Sequence, residues 1–96
     1  MRGKAKAIVT TLHDVCKALH ARCEFAFQED PDTEVGKVRR NKTDPECWLF
    51  YVYVFHESPA GRSVQRSNVV SVSAAGIGVH GLDEQAIATI LKEPIL

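Results

Sequence analysis

Four apolar residues near the start of the chain recur at intervals of three and four: Ile8, Leu12, Val15 and Leu19. On a helical wheel they share one side, while Thr10, Asp14 and Lys17 lie on the other. Residues 5–21 are therefore predicted to form an amphipathic helix. Its apolar side is expected to pack on the rest of the domain.

Two shorter segments that follow have the spacing of strands. Phe25 and Phe27 alternate with polar or small residues, which predicts a short strand ending in a turn at residues 29–32. Val38 lies among charged residues, and a second strand is predicted over residues 35–40 despite the interruption at Gly36.

The strongest strand signal in the chain spans residues 47–56. Its alternate positions form two apolar sets, Trp48, Phe50, Val52 and Val54 on one face, and Leu49, Tyr51, Tyr53 and Phe55 on the other. A strand that is apolar on both faces is typical of the centre of a sheet. The loop at residues 58–61 is short enough to return the chain as an antiparallel strand over residues 63–74. Beyond it the apolar phase slips, so Gly76 is predicted to be a bend or the start of another short strand.

A last helix is predicted to begin at Asp83, an N-cap residue type, and to end at Pro94. Leu82 and Ile87 have the spacing of a hydrophobic staple around its first turn. The element order is then an N-terminal helix, an antiparallel sheet of three to five strands and a C-terminal helix. This order defines an α+β fold, and 96 residues suffice for a single domain, residues 1–96, with one modest core.

Charge and composition narrow the class of protein. Lysine plus arginine equals aspartate plus glutamate at 12 each, so no global field draws the chain to nucleic acid or to an anionic membrane. No apolar run approaches the ~20 residues that cross a bilayer, and the first residues lack the apolar core of a secretory signal. The three cysteines are expected to be reduced thiols. The sequence therefore predicts a cytoplasmic protein.

Gly76, Gly78 and Gly81 match the spacing G-x-G-x-x-G after an apolar strand and before a helix. The dinucleotide fingerprint also needs a second parallel strand with an acidic residue about 20 positions later, which this chain does not offer. These glycines are expected to serve backbone bends, because glycine alone enters positive φ without strain.

Residues that bind metals or act as nucleophiles are present but poorly arranged. His13, Cys16, His20 and Cys23 lie along one stripe of the first helix, yet the outer two are about 15 Å apart along its axis. One ion cannot reach them all, so no metal and no cofactor are expected. No motif supplies a catalytic set, although His56 or His80 as a base in a small-molecule enzyme stays an alternative. The reactivity of Cys16, Cys23 and Cys47 is left open.

The two-faced strand is the feature that predicts a function. Two short helices cover about one sheet face, which leaves four side chains for another partner: Leu49, Tyr51, Tyr53 and Phe55. Burying them is worth about 6 to 12 kcal/mol before ordering costs. The cover can be a helix of the same chain, the sheet of a second copy, or a foreign protein or small apolar ligand. We expect a non-enzymatic interaction module that forms a homodimer through this face.

An alternative occupant of the same face is single-stranded nucleic acid. Bases would stack on the tyrosines while phosphates meet four nearby basic side chains, Arg39, Arg40, Arg62 and Arg66. The zero net charge argues against it, and a solvated edge strand explains the basic residues equally well.

Overall fold

The computed structural model describes residues 11–92. They form two helices and five strands in the order α1 (Leu12–Ala26), β1 (Thr33–Val35), β2 (Arg39–Arg40), β3 (Trp48–Ser58), β4 (Gly61–Ser73), β5 (Gly76–His80) and α2 (Glu84–Lys92). All strand pairs are antiparallel, with β3 between β4 and the two short strands β1 and β2, and with β5 on the far side of β4. The α+β prediction is confirmed.

The first helix differs from its prediction at both ends. It begins at a capping box in which the Thr11 hydroxyl accepts the N–H of Asp14 and the Asp14 carboxylate accepts the N–H of Thr11. It then continues to Ala26, so the strand predicted around Phe25 and Phe27 is wrong. Two alternating phenylalanines are too short a pattern to outweigh the good helix formers around them. Residues 5–10, the first part of the predicted helix, lie outside the described residues.

The core lies between the helices and one face of the sheet. Its buried residues come from both helices and both long strands: Cys16, Leu19, Cys23, Phe50, Val52, Val70, Val72 and Ile87. Phe27 packs against this cluster, whereas Phe25 is 74% exposed on the outside of α1. Both helices therefore cover the same face of the sheet.

The long β3–β4 hairpin carries an irregularity that changes which side chains share a face. The register is regular from Trp48 opposite Val72 to Val54 opposite Arg66, and it then shifts so that Phe55 lies opposite Val64. Such a bulge moves every later residue of the bulged strand to the other face. Arg62 and Arg66 would share a face in a regular strand, but here they lie on opposite faces.

The segment from β4 to α2 follows the prediction in outline. Gly76 opens the short strand β5 with a φ of 122°, and Gly81 has a φ of 147° in the turn before α2. The predicted role in backbone bends holds for these two glycines but is wrong for Gly78, which lies inside β5 without a positive φ. The predicted hydrophobic staple does not form, because Leu82 is 85% exposed while Ile87 is buried in the core. The end of the helix near Pro94 lies outside the described residues.

Candidate interaction surface

The sheet face away from the helices carries the four side chains Leu49, Tyr51, Tyr53 and Phe55, and we call it the open face. Strand alternation places them opposite Phe50 and Val52, which are 0% and 1% exposed against the helices. All four are half-buried, and none belongs to the core cluster or packs against it. Within residues 11–92, both helices lie on the other side of the sheet, so the open face has no helical cover.

Three aromatic rings form a ladder along β3 on the open face. The rings of Tyr51 and Tyr53 are parallel within 8° with centroids 5.7 Å apart, and the Phe55 ring follows at 6.4 Å. Gly36 lies beside the ladder, where a Cβ would make an ordinary contact with the Tyr53 ring at 3.5 Å. The three rings lie against one another, and all three residues are half-buried.

A rim of charged and small polar groups surrounds this ladder. The strand register puts Glu34 beside Tyr53 and Arg39 beside Leu49. At the other end, the Arg62 guanidinium lies 4.1 Å from the centre of the Phe55 ring, and its Nε is 3.4 Å from the Glu57 carboxylate. Strand β4 adds Ser67, Val69, Ser71 and Val64 to the same face. An apolar centre with a mixed-charge rim is the composition found in protein interfaces.

The four arginines considered for nucleic acid do not gather around the tyrosines. Arg39 and Arg62 share the open face, whereas Arg40 lies 4.8 Å over the Trp48 ring on the helix side. Arg66 also turns to the helix side, where its Nε donates to the Asp83 carboxylate at 2.7 Å. The bulge in the hairpin places Arg66 and Arg62 on opposite faces of the sheet. No pattern in the sequence predicted this bulge.

A shallow pocket of about 210 Å³ lies at the Leu49 end of the open face. Its lining combines basic, amide and apolar residues: Arg39, Arg40, Asn41, Lys42, Leu49 and Tyr51. No acidic residue lines it, so the pocket favours an anionic group.

The histidines and cysteines of α1 serve packing and local hydrogen bonds. The His13 ring lies 4.2 Å from the Trp48 ring, and His20 Nε2 is 2.8 Å from the carbonyl oxygen of Gly36. Cys16 and Cys23 are fully buried in the core. In the part of the chain that the structure describes, no three histidine, cysteine or acidic side chains are placed to hold a metal ion.

Cys16 and Cys23 are expected to resist alkylation in the folded protein. Burial raises the pKa of each thiol to about 11, so at pH 8 both are protonated and neither is the nucleophilic thiolate. Treatment with iodoacetamide, followed by mass spectrometry of the peptides, should find both unmodified in buffer and both modified in strong denaturant. Rapid modification of either one in the native protein would contradict the core placement.

The two histidines considered as bases are exposed strand residues. His56 lies opposite Ser63 on the outer part of the hairpin, and His80 ends β5 opposite Val69. Cys47 is 8% exposed and immediately precedes β3. Among residues 11–92, these three residues form no group that could hold a metal ion.

A polar cluster of Arg66, Asn68 and Asp83, which the sequence did not predict, joins β4 to the start of α2. Asn68 is 1% exposed, and its Oδ1 accepts the N–H of Asp83 while its Nδ2 donates to the Asp83 carboxylate. Hydrogen bonds from Arg66 and then from Asn68 lower the pKa of Asp83. The cluster lines a cavity of about 160 Å³, but its hydrogen bonds are made within the chain. The cluster stabilises the turn between β5 and α2. The one sequence feature that pointed to it was an asparagine, Asn68, in an apolar strand.

Comparison with known proteins identifies no relative of this chain. Searches against protein-family models, curated proteins and solved structures found no match to this chain. Neither helix within residues 11–92 has the length and apolarity needed to cross a membrane.

Proposed function

We propose that the protein is a non-enzymatic interaction module whose open face packs against the open face of a second copy. The observation that carries the proposal is the uncovered aromatic ladder. Both helices lie on the other side of the sheet, so nothing in residues 11–92 is available to close over Tyr51 and Tyr53. A partly exposed aromatic surface rimmed by polar groups is suited to association.

The half-burial of the ladder sets the expected strength. Each ring already loses part of its contact with water to its neighbours, so the free energy left to gain is smaller than the 6 to 12 kcal/mol expected from sequence for fully exposed side chains. Val64, which is 49% exposed beside Phe55, adds apolar area. This surface is suited to a small interface and to a dissociation constant on the order of micromolar.

A second copy is a better occupant than a partner of one charge sign. The strand positions of the open face carry two arginines and two glutamates, and the pocket at its Leu49 end adds Lys42: Arg39, Arg62, Glu34 and Glu57 are the strand residues. Two copies related by a two-fold axis can therefore pair opposite charges at the rim while the rings meet at the centre. Each tyrosine keeps its hydroxyl near the wet edge of the interface.

Light scattering after size exclusion tests the proposal at protein concentrations from 10 to about 300 micromolar. The expected mass at high concentration is at least twice the monomer mass of 10.6 kDa. Tyr51→Glu should raise the dissociation constant of the open-face contact at least tenfold, because a two-fold interface contains the buried charge twice. Phe25→Glu is the matched control, since Phe25 is an exposed aromatic residue on the outside of α1.

Two results would contradict the proposal. One is a monomer over the whole concentration range. The other is a mass that Tyr51→Glu and Phe25→Glu change equally, because the association would then not involve the ladder.

Nucleic-acid binding is the second candidate, and the basic pocket beside Leu49 and Tyr51 supports it. It predicts that a labelled single-stranded oligonucleotide binds at 50 mM salt, that binding weakens as salt rises, and that Arg39→Ala weakens it further. Arg66→Ala is the control, because Arg66 lies on the other face. Absence of binding at 50 mM salt would remove this candidate.

A further inference from the structure

The two edges of the sheet differ in how they are protected from pairing with another strand. At one edge, β1 has three residues and β2 has two, and β2 consists of Arg39 and Arg40. Short strands and positive charge are devices that discourage edge pairing. At the other edge, β5 has the sequence Gly-Ile-Gly-Val-His, with neither proline nor lysine, arginine or an acidic residue. Within residues 11–92, β4 is the one strand that pairs with it.

Beside this edge of the described sheet lies a groove with an apolar strand wall and a mostly polar helix wall. Ile77 and Val79 form its strand wall, and Ile77 is 54% exposed. Helix α2 forms the other wall, and the groove has a volume of about 510 Å³. The α2 residues that line it are Glu84, Gln85, Ala88, Thr89 and Lys92, while Ile87 turns away into the core.

The strand is complementary to itself about Gly78. If two copies of β5 pair antiparallel with Gly78 at the two-fold axis, Ile77 of each copy lies opposite Val79 of the other. Directly opposed residues share a face, so these four apolar side chains extend the helix-side core across the join.

The groove side of α2 is complementary to itself as well. Glu84, Ala88 and Lys92 recur every four residues, so they form one stripe with an acid at its start, a small residue at its middle and a base at its end. When two such helices lie antiparallel, Glu84 of each meets Lys92 of the other across Ala88. The two residues are about 12 Å apart along their own helix and cannot pair within it.

The strand and the helix that line the groove are similar in length. Five residues of β5 span about 16 Å and nine residues of α2 span about 14 Å, side by side along the same groove. We propose that the β5 edge and the groove side of α2 bind a second copy of this chain, joining two sheets into one continuous sheet. This contact goes beyond the open-face dimer and does not depend on it. With both contacts present, four copies close into a dihedral assembly if the two axes cross at right angles, and larger assemblies form if they do not.

Mass measurements on four proteins separate the two contacts. Both contacts together predict an assembly of at least four copies for the unmodified chain, and a dimer for either Tyr51→Glu or Ile77→Lys. The double variant is then a monomer. Ile77→Lys places a charge in the apolar join but replaces a half-exposed side chain, so the fold is expected to tolerate it. Circular dichroism melting of each variant checks the fold.

A charge exchange tests the proposed register of α2, in the Tyr51→Glu background so that the open-face contact is absent. Glu84→Lys gives a copy with lysine at both ends of the stripe, and Lys92→Glu gives a copy with glutamate at both ends. Each alone should dissociate at least tenfold more readily than its parent, and an equimolar mixture should recover the dimer. Gln28→Lys, at an exposed position outside the groove, is the control and should change nothing.

The outcomes of the two proposals can be told apart. A dimer that Ile77→Lys dissociates and Tyr51→Glu does not would support the edge contact and overturn the open-face contact. A dimer that Tyr51→Glu dissociates and Ile77→Lys does not would overturn the edge contact. A mixture of the two charge variants that stays monomeric would also overturn it. A monomer in all four proteins would overturn both.

Discussion

Gly81→Ala is expected to destabilise the fold by about 3 to 5 kcal/mol. The residue has a φ of 147°, where a side chain adds roughly 1 to 3 kcal/mol of backbone strain. A Cβ at this position would also overlap the Oδ1 and Cα atoms of Asn68. Relieving that overlap displaces a buried amide that accepts the N–H of Asp83. Urea unfolding followed by circular dichroism should show the loss, which is a large part of the roughly 5 to 14 kcal/mol expected for a domain of this size.

Two other glycines separate the two causes of this loss. Gly61 and Gly76 have φ values of 124° and 122°, close to that of Gly81, but a Cβ at either one meets no atom within 4 Å. Alanine at these positions should cost only the backbone strain, about 1 to 3 kcal/mol. If all three variants unfold at the same urea concentration, the contact with Asn68 contributes nothing.

Asn68 also shows why the sequence predicted the helices and strands better than the polar cluster of Arg66, Asn68 and Asp83 that joins two of them. The two-faced pattern of residues 47–56 and the turn residues after it were enough to predict the antiparallel hairpin and the sheet. The partner of Asn68, however, lies fifteen residues later, and its contact depends on the register of β4 and on the turn at Gly81. Hydrophobic periodicity carries no information on such contacts.

Strand periodicity predicted the open face, but it did not predict on which face the arginines of the hairpin lie. Alternation along one strand fixes that Tyr51 and Tyr53 share a face, because the period of a strand is two. The position of Arg66 depends on a bulge in the hairpin, and a bulge changes the period at a single residue without a recognisable pattern. The exposed groove beside β5 was also missed, because the sequence did not reveal which strand lies at the edge of the sheet.

Phe50→Ala is expected to lower the free energy of unfolding by about 3 to 5 kcal/mol. Phe50 is 0% exposed at the centre of the core, where the His20 ring meets its ring edge-on at 5.1 Å. Removing the ring forfeits its burial and leaves a cavity that the packed helix and strands close only in part. Phe25→Ala is the matched control. It deletes the same atoms from an exposed site and should change the stability by less than about 0.5 kcal/mol.

Tyr51→Ala completes this test, because Tyr51 follows Phe50 in the chain and lies on the opposite face of the same strand. Its half-buried ring should contribute about 1 to 2 kcal/mol to the stability of the separate chain, measured by urea unfolding at low micromolar concentration. At high concentration the loss relative to the unmodified chain should grow, because association stabilises the folded state by mass action. The stability effect of Phe50→Ala should not depend on concentration in this way. Equal and concentration-independent losses for the two variants would mean that both faces serve only the fold of one chain, and that the open face has no partner.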